Sequence, residues 1–73
     1  MRPVKRSLTL SGHRTSVTLE PPFWDTLRAM AAAENMSLNA LATRIDAARA
    51  PEVGLASALR VSAHVWVAKI NFR

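Results

Sequence analysis

The chain has no cysteine, so a domain of 73 residues must hold together without disulfides. A chain this short buries only about 60% of the surface that its unfolded form exposes, and its core needs a supplement. Structural zinc offers none, because only His13 and His64 supply imidazole and they lie far apart with no thiolate beside them. Oligomerisation is the supplement that remains. No apolar run approaches the roughly 18 residues of a membrane span, and the N-terminus lacks the apolar stretch of a secretory signal. These absences suit a cytoplasmic protein. With two glycines there is no phosphate-binding loop, and Asp25, Glu34, Asp46 and Glu52 are scattered. No Ser-His-acid arrangement is supported by the spacing either, so neither an enzyme nor a bound metal or cofactor is expected.

Acid is scarce where base is plentiful. Residues 1 to 19 contain Arg2, Lys5, Arg6 and Arg14 and no acid, so they carry +4 of the net +5. The remaining bases, Arg28, Arg44, Arg49, Arg60, Lys69 and Arg73, are nearly balanced by Glu20, Asp25, Glu34, Asp46 and Glu52. A basic arm leading into a neutral body is an electrostatic footprint for a polyanion, most often nucleic acid, although a solvated basic tail has the same composition. A hydrophobic share of 49% fits a folded chain, with a partner subunit covering part of the apolar surface.

From Arg14 to Glu20 polar and apolar residues alternate, with Thr15, Val17 and Leu19 able to face a core, which predicts a half-buried strand. Lys5 to Leu10 is a weaker strand candidate. Leu8 and Leu10 share one side and Ser11-Gly12 reads as a turn, so this segment is either a hairpin arm or an extended tail. No internal repeat is evident. Pro21-Pro22 ends the strand and opens a helix running to about Glu34, with Phe23, Leu27, Met30 and Ala31 at helical spacing. Asn35 suits a left-handed stop, and Ser37 an N-cap for a second helix that carries Leu38, Leu41, Ala42 and Ile45 to about Arg49. Residues 50 to 54 read as a loop. Beyond it, Leu55 to Ile70 predicts a third helix by its length, although Val61, Ala63, Val65 and Val67 alternate as a strand would.

A strand with both edges open needs a neighbour. Either residues 5 to 10 fold back on it, or the same strand of a second subunit pairs with it about a two-fold axis. Arg14-Thr15-Ser16-Val17-Thr18-Leu19-Glu20, then Phe23-Trp24 with Leu27, then Asn35-Met36-Ser37-Leu38-Asn39-Ala40-Leu41 resemble the Arc/MetJ/CopG ribbon-helix-helix superfamily. Lys5 to Ser16 together with Ser57-Ala58-Leu59-Arg60-Val61 resemble a bacterial group of short, stand-alone members. The resemblance implies a mainly α fold with one β-strand per chain, a homodimer with an intersubunit antiparallel ribbon, and an additional C-terminal helix. Residues 1 to 12 would then be a basic arm or weak extra strand, 13 to 50 the ribbon-helix-helix core, and 51 to 73 a loop and a helix packed on the dimer. The dimer core would draw on Val17, Leu19, Phe23, Leu27, Leu38, Leu41 and Ile45.

Function follows from the same resemblance. It implies a transcriptional repressor that binds double-stranded DNA, associated with the nucleoid when bound and able to assemble further along DNA. By strand parity the base-contacting residues would be Arg14, Ser16 and Thr18, with Arg14 suited to the O6 and N7 of guanine. Better-known members carry longer side chains at the positions of Ser16 and Thr18, so water or DNA shape would carry part of the specificity here. Lys5 and Arg6 would contact phosphates from the arm, and Ser37, Leu38 and Asn39 would do so from the second helix's N-terminus. Ser37 serves equally as a simple N-cap. Trp24 and Trp66 lie at helical spacing with apolar neighbours, which predicts packing rather than base stacking. The alternative function is an antitoxin or interaction module whose residues 51 to 73 hold a protein partner. A membrane is not an expected partner, since no basic amphipathic helix with bulky anchors is present.

Overall fold

Two consecutive residues in the left-handed region, Ser11 at φ 51° and Gly12 at φ 83°, reverse the chain after Leu10. Positive φ at both central positions belongs to the two-residue turn whose twist matches that of paired strands, and Gly12 adopts it without a Cβ to strain. The structure, a computed structural model, describes residues 1–71. Phe72 and Arg73, the end of the C-terminal segment 51 to 73, lie outside the described residues. On either side of the turn, β1 (Val4–Leu10) and β2 (His13–Leu19) pair antiparallel from Val4 opposite Leu19 to Leu10 opposite His13.

This hairpin corrects the expectation of one strand per chain. The chain has two strands, and residues 5 to 10 are strand rather than arm. The left-handed turn supplies β2 with one strand neighbour from inside the chain, and the two-stranded sheet leaves the other edge of β2 without a strand partner. Strand alternation then sends Leu8, Leu10, Val17 and Leu19 inward, while Lys5, Ser7, Thr9, Arg14, Ser16 and Thr18 face outward and are exposed.

Three helices cover the inner face. Helix α1 (Pro21–Ala33) opens on its prolines, which lack only donors that a first turn leaves unused anyway. Asn35, at φ 54°, stops it, and the Met36 amide donates back to the Ala31 carbonyl at 2.9 Å. Helix α2 (Leu38–Ala48) is capped by Ser37, whose hydroxyl accepts from the Ala40 amide at 3.0 Å. Helix α3 (Leu55–Asn71) is a helix where alternation competed with helical spacing. It buries Ala58, Leu59 and Ala63 and leaves Val61, Val65 and Val67 exposed. The competing alternation therefore has no sheet behind it.

The core joins the sheet's inner residues to Trp24, Leu27, Met30, Leu41 and Leu59. Of the residues expected in a dimer core, Val17, Leu19, Leu27 and Leu41 are buried, and Phe23, Leu38 and Ile45 pack half-buried against the same cluster. All of this burial occurs within one chain. Trp24 is 1% exposed, and its indole N–H donates to the Val4 carbonyl at 2.9 Å, fastening the start of β1 to α1. The Arg6 guanidinium lies 5.9 Å from the Trp24 ring centroid, in cation–π range.

If β1 belongs to the core, shortening a side chain within it must be costly. Leu8, 2% exposed, is the diagnostic position. Leu8→Ala is expected to lower unfolding stability by about 2–5 kcal/mol in urea denaturation. A loss below about 0.5 kcal/mol would mean that residues 4 to 10 are a loose arm.

A candidate nucleic-acid interface

Every side chain on the outer face of the hairpin is polar. Opposite pairs are Lys5 with Thr18, Ser7 with Ser16, and Thr9 with Arg14. The structure thus places Arg14, Ser16 and Thr18 together on an exposed face, and it adds three residues of β1 that strand parity in β2 alone did not indicate. Hydroxyls that donate or accept, with a cation near each end, suit the edges of base pairs in a major groove.

Beside β1 lies an open cleft of about 510 Å³ where the N-terminus of α2 meets the strand. Lys5, Arg6, Ser37, Leu38 and Asn39, the five residues expected to contact phosphate, all line it. Arg28 of α1 lines it too, a cation that the sequence reading missed. Helical spacing puts Arg28 beside buried Leu27 but does not say which neighbour α1 turns it toward. Asn39 closes the strand side of the cleft, its Oδ1 accepting from the Thr9 amide at 3.1 Å. Among the α2 amides that have no intrahelical acceptor, Ala40 is taken by the Ser37 hydroxyl, whereas Leu38 and Asn39 precede the first intrahelical donor, Leu41. A helix N-terminus flanked by Lys5 and Arg6, with Arg28 shared with Asp25, has the chemistry of an anion site.

The charge on the helices is largely cancelled. Arg28 pairs with Asp25, Arg44 with Glu34, Arg49 with Asp46, and Arg60 with Glu20. The described cations with no acid within 4 Å include Arg2, Lys5, Arg6 and Arg14, all on or before the hairpin. Uncompensated positive charge therefore gathers in and just before the hairpin, with Lys5 and Arg14 on its outer face.

A polar two-stranded ribbon laid over a short-turned pair of helices is the ribbon-helix-helix class of fold. Comparison with known families agrees: the model of a ribbon-helix-helix domain matches residues 3–67, and the chain belongs to that family. Among solved structures it is similar to an uncharacterized protein from Bordetella pertussis Tohama I, with 33% identity and a TM-score of 0.73. The match covers 90% of this chain and 56% of that one, so this chain spans little more than half the length of its neighbour. No curated protein matches it. Among the described residues, no helix is long and apolar enough to cross a membrane.

The cleft depends on how α1 and α2 are joined. Glu34 and Arg44 fasten that joint through two parallel hydrogen bonds of 2.8 Å. The Arg44 hydrogen bond holds the Glu34 carboxyl below its ordinary pKa, and Glu34 in turn raises that of Arg44. Glu20 is also held low, first by its own backbone hydrogen bond and then by Arg60 of α3. Both carboxylates are more acidic folded than unfolded, so in acid the unfolded chain binds more protons. Their stabilisation is complete above the ordinary carboxylate value of about 4.3 and disappears as pH falls through the folded values. Stability is therefore expected to hold between about pH 7 and 5 and to fall below about 4, read as the urea midpoint. Glu34→Gln should shrink that fall, and an unchanged acid profile would mean the pair adds nothing measurable.

Proposed function

We propose that this chain is a sequence-specific DNA-binding transcription regulator, a repressor, that sets the outer face of its β-hairpin in the major groove. The observation that carries this reading is the juxtaposition of an all-polar ribbon face with a cation-lined cleft at the α2 N-terminus. The two parts divide the work. Arg14, Ser16 and Thr18 face base edges, and Arg14 carries most of the discrimination because its fork matches guanine O6 and N7. Lys5, Arg6, Arg28 and the α2 amides at Leu38 and Asn39, with Ser37 as cap, hold phosphates and fix the register without reading sequence. Two short hydroxyls per strand leave part of the specificity to water and DNA shape. Catalysis has no part in this reading, and the protein acts in the cytoplasm on the nucleoid.

Ribbon-helix-helix proteins bind DNA as dimers, and we extend that to this chain. Among the exposed large apolar residues of α3, Val61 and Val65 share one side with Met30 and Trp66, a surface of the kind that association covers, while Val67 lies on another side beside Phe23. The same surface favours the second reading, an antitoxin-like module that holds a protein partner on its C-terminal segment.

Two measurements test these statements. Fluorescence anisotropy against a duplex from the gene's own upstream region and a scrambled control, at low and near-physiological salt, should show a preference for the first. Arg14→Ala should remove about 1–3 kcal/mol of that preference, whereas Arg28→Ala should weaken both duplexes alike and reduce the salt slope by about 1. Weak binding to both duplexes that vanishes with salt would reduce the interface to a basic surface. Light scattering of the free protein should give a dimer that Val65→Lys dissociates, and a monomer would shift weight to the partner-protein reading.

A further inference from the structure

One residue of β1 breaks the hairpin's sorting of polar from apolar. The inward phase of β1 is Val4, Arg6, Leu8 and Leu10, and Arg6 stands opposite buried Val17. Packing accounts for the three aliphatic residues. An arginine among them adds no apolar surface to the core, and its charge would be costly to bury. The side chain escapes burial: Arg6 is exposed, and its guanidinium lies over the Trp24 ring, 5.9 Å from the centroid. It lines the cleft at the α2 N-terminus together with Lys5, Arg28 and Asn39.

Two hydrogen bonds fix the frame around this side chain. The Trp24 indole N–H donates to the Val4 carbonyl at 2.9 Å, so one side chain of α1 fastens β1 two residues before Arg6 and also supplies the face on which the guanidinium rests. On the opposite wall the Asn39 Oδ1 accepts from the Thr9 amide at 3.1 Å, which sets the start of α2 against the same strand. Contact with an aromatic face uses none of the guanidinium's N–H donors, so its fork stays available. Among the described residues no acid pairs with Arg6, whereas Arg28 is shared with Asp25.

We propose that Trp24 is a positioning residue for DNA binding: its ring holds the Arg6 guanidinium in the cleft, set to grip a backbone phosphate beside the α2 amides of Leu38 and Asn39. This inference rests on the DNA-binding function proposed above and applies to each subunit of the dimer. Lys5 and Arg6 then hold phosphate in different ways. Lys5 extends from the outer face as a flexible point charge, while Arg6 offers a planar, preorganised fork that can bind two phosphate oxygens. Immobilising a long, free side chain on binding weakens affinity by roughly two- to tenfold, and a ring that restrains it beforehand removes that penalty. Phosphates carry no sequence, so the effect is the same on every duplex.

The test measures anisotropy of the full chain on the upstream duplex and its scrambled control across a salt series, with urea denaturation of each variant alongside. Arg6→Ala should weaken binding to both duplexes by about tenfold or more and reduce the salt slope by about 1. Arg6→Lys keeps the charge but loses the fork and the stacking, so it should retain the slope and still lose roughly two- to tenfold. Trp24→Leu should lose a similar factor, Trp24→Phe should restore most of it, and the loss should vanish when Trp24→Leu is combined with Arg6→Ala. Arg6 is exposed, so Arg6→Lys decides the matter even where Trp24→Leu unfolds the chain. The inference is overturned if Arg6→Ala or Arg6→Lys binds as tightly as wild type, or if Trp24→Leu costs as much without Arg6 as with it. In those cases the ring is core alone, and the DNA-binding function stands. If the wild type binds neither duplex at low salt, that function and the inference fail together.

Discussion

The rest of the molecule depends on a two-residue reversal. Ser11 and Gly12 hold positive φ in succession, and this conformation closes the strands on either side into a single register. A slip by one residue would turn Leu8 and Leu10 to solvent and Lys5, Ser7 and Thr9 to the core, so the turn and the apolar pattern must agree. They do agree. The register that buries Leu8, Leu10, Val17 and Leu19 also places every polar side chain of the hairpin's outward phase on one face. Surface and core are two consequences of one geometric choice.

That choice also changes how a short chain without disulfides becomes stable. Length argues for a partner subunit, and within each chain the core is widened by β1, which adds two leucines to the sheet, and by α3, which adds Leu59 and Ala63. Trp24 links these additions. Its ring is buried among them, its N–H is satisfied by the Val4 carbonyl, and Arg6 lies over its face, so an aromatic of the kind that joins subunits instead ties β1 to α1. The ion pairs Glu20–Arg60 and Glu34–Arg44 then bridge elements whose relative positions fix the cleft. Each is part-exposed, so they orient the helices more than they stabilise them.

Local chemistry was legible in the sequence wherever a residue decides its own conformation. The prolines opening α1, Asn35 at its end and Ser37 as the cap of α2 lie where their stereochemistry requires. The ribbon's polar face was legible by parity once β2 was recognised. The second strand was legible only as an alternative, because its alternation is interrupted by Arg6, an inward-phase residue that stays exposed and lies over Trp24 rather than in the core. Arg28 in the cleft was not legible, since nothing in a helical pattern states which neighbour a flanking side chain will meet.

The position of the cleft completes the physical picture. Helix α2 presents its N-terminus to β1, where Leu38 and Asn39 line a cleft with Lys5 and Arg6, while the first residue of α3, Leu55, lies beside His13 and Thr15 of β2. Each strand of the hairpin is therefore supported by a different helix, β1 by α2 and β2 by α3. The difference lies in charge: the α2 flank gathers Lys5, Arg6 and Arg28, whereas beside Leu55 the Arg49 side chain is paired with Asp46.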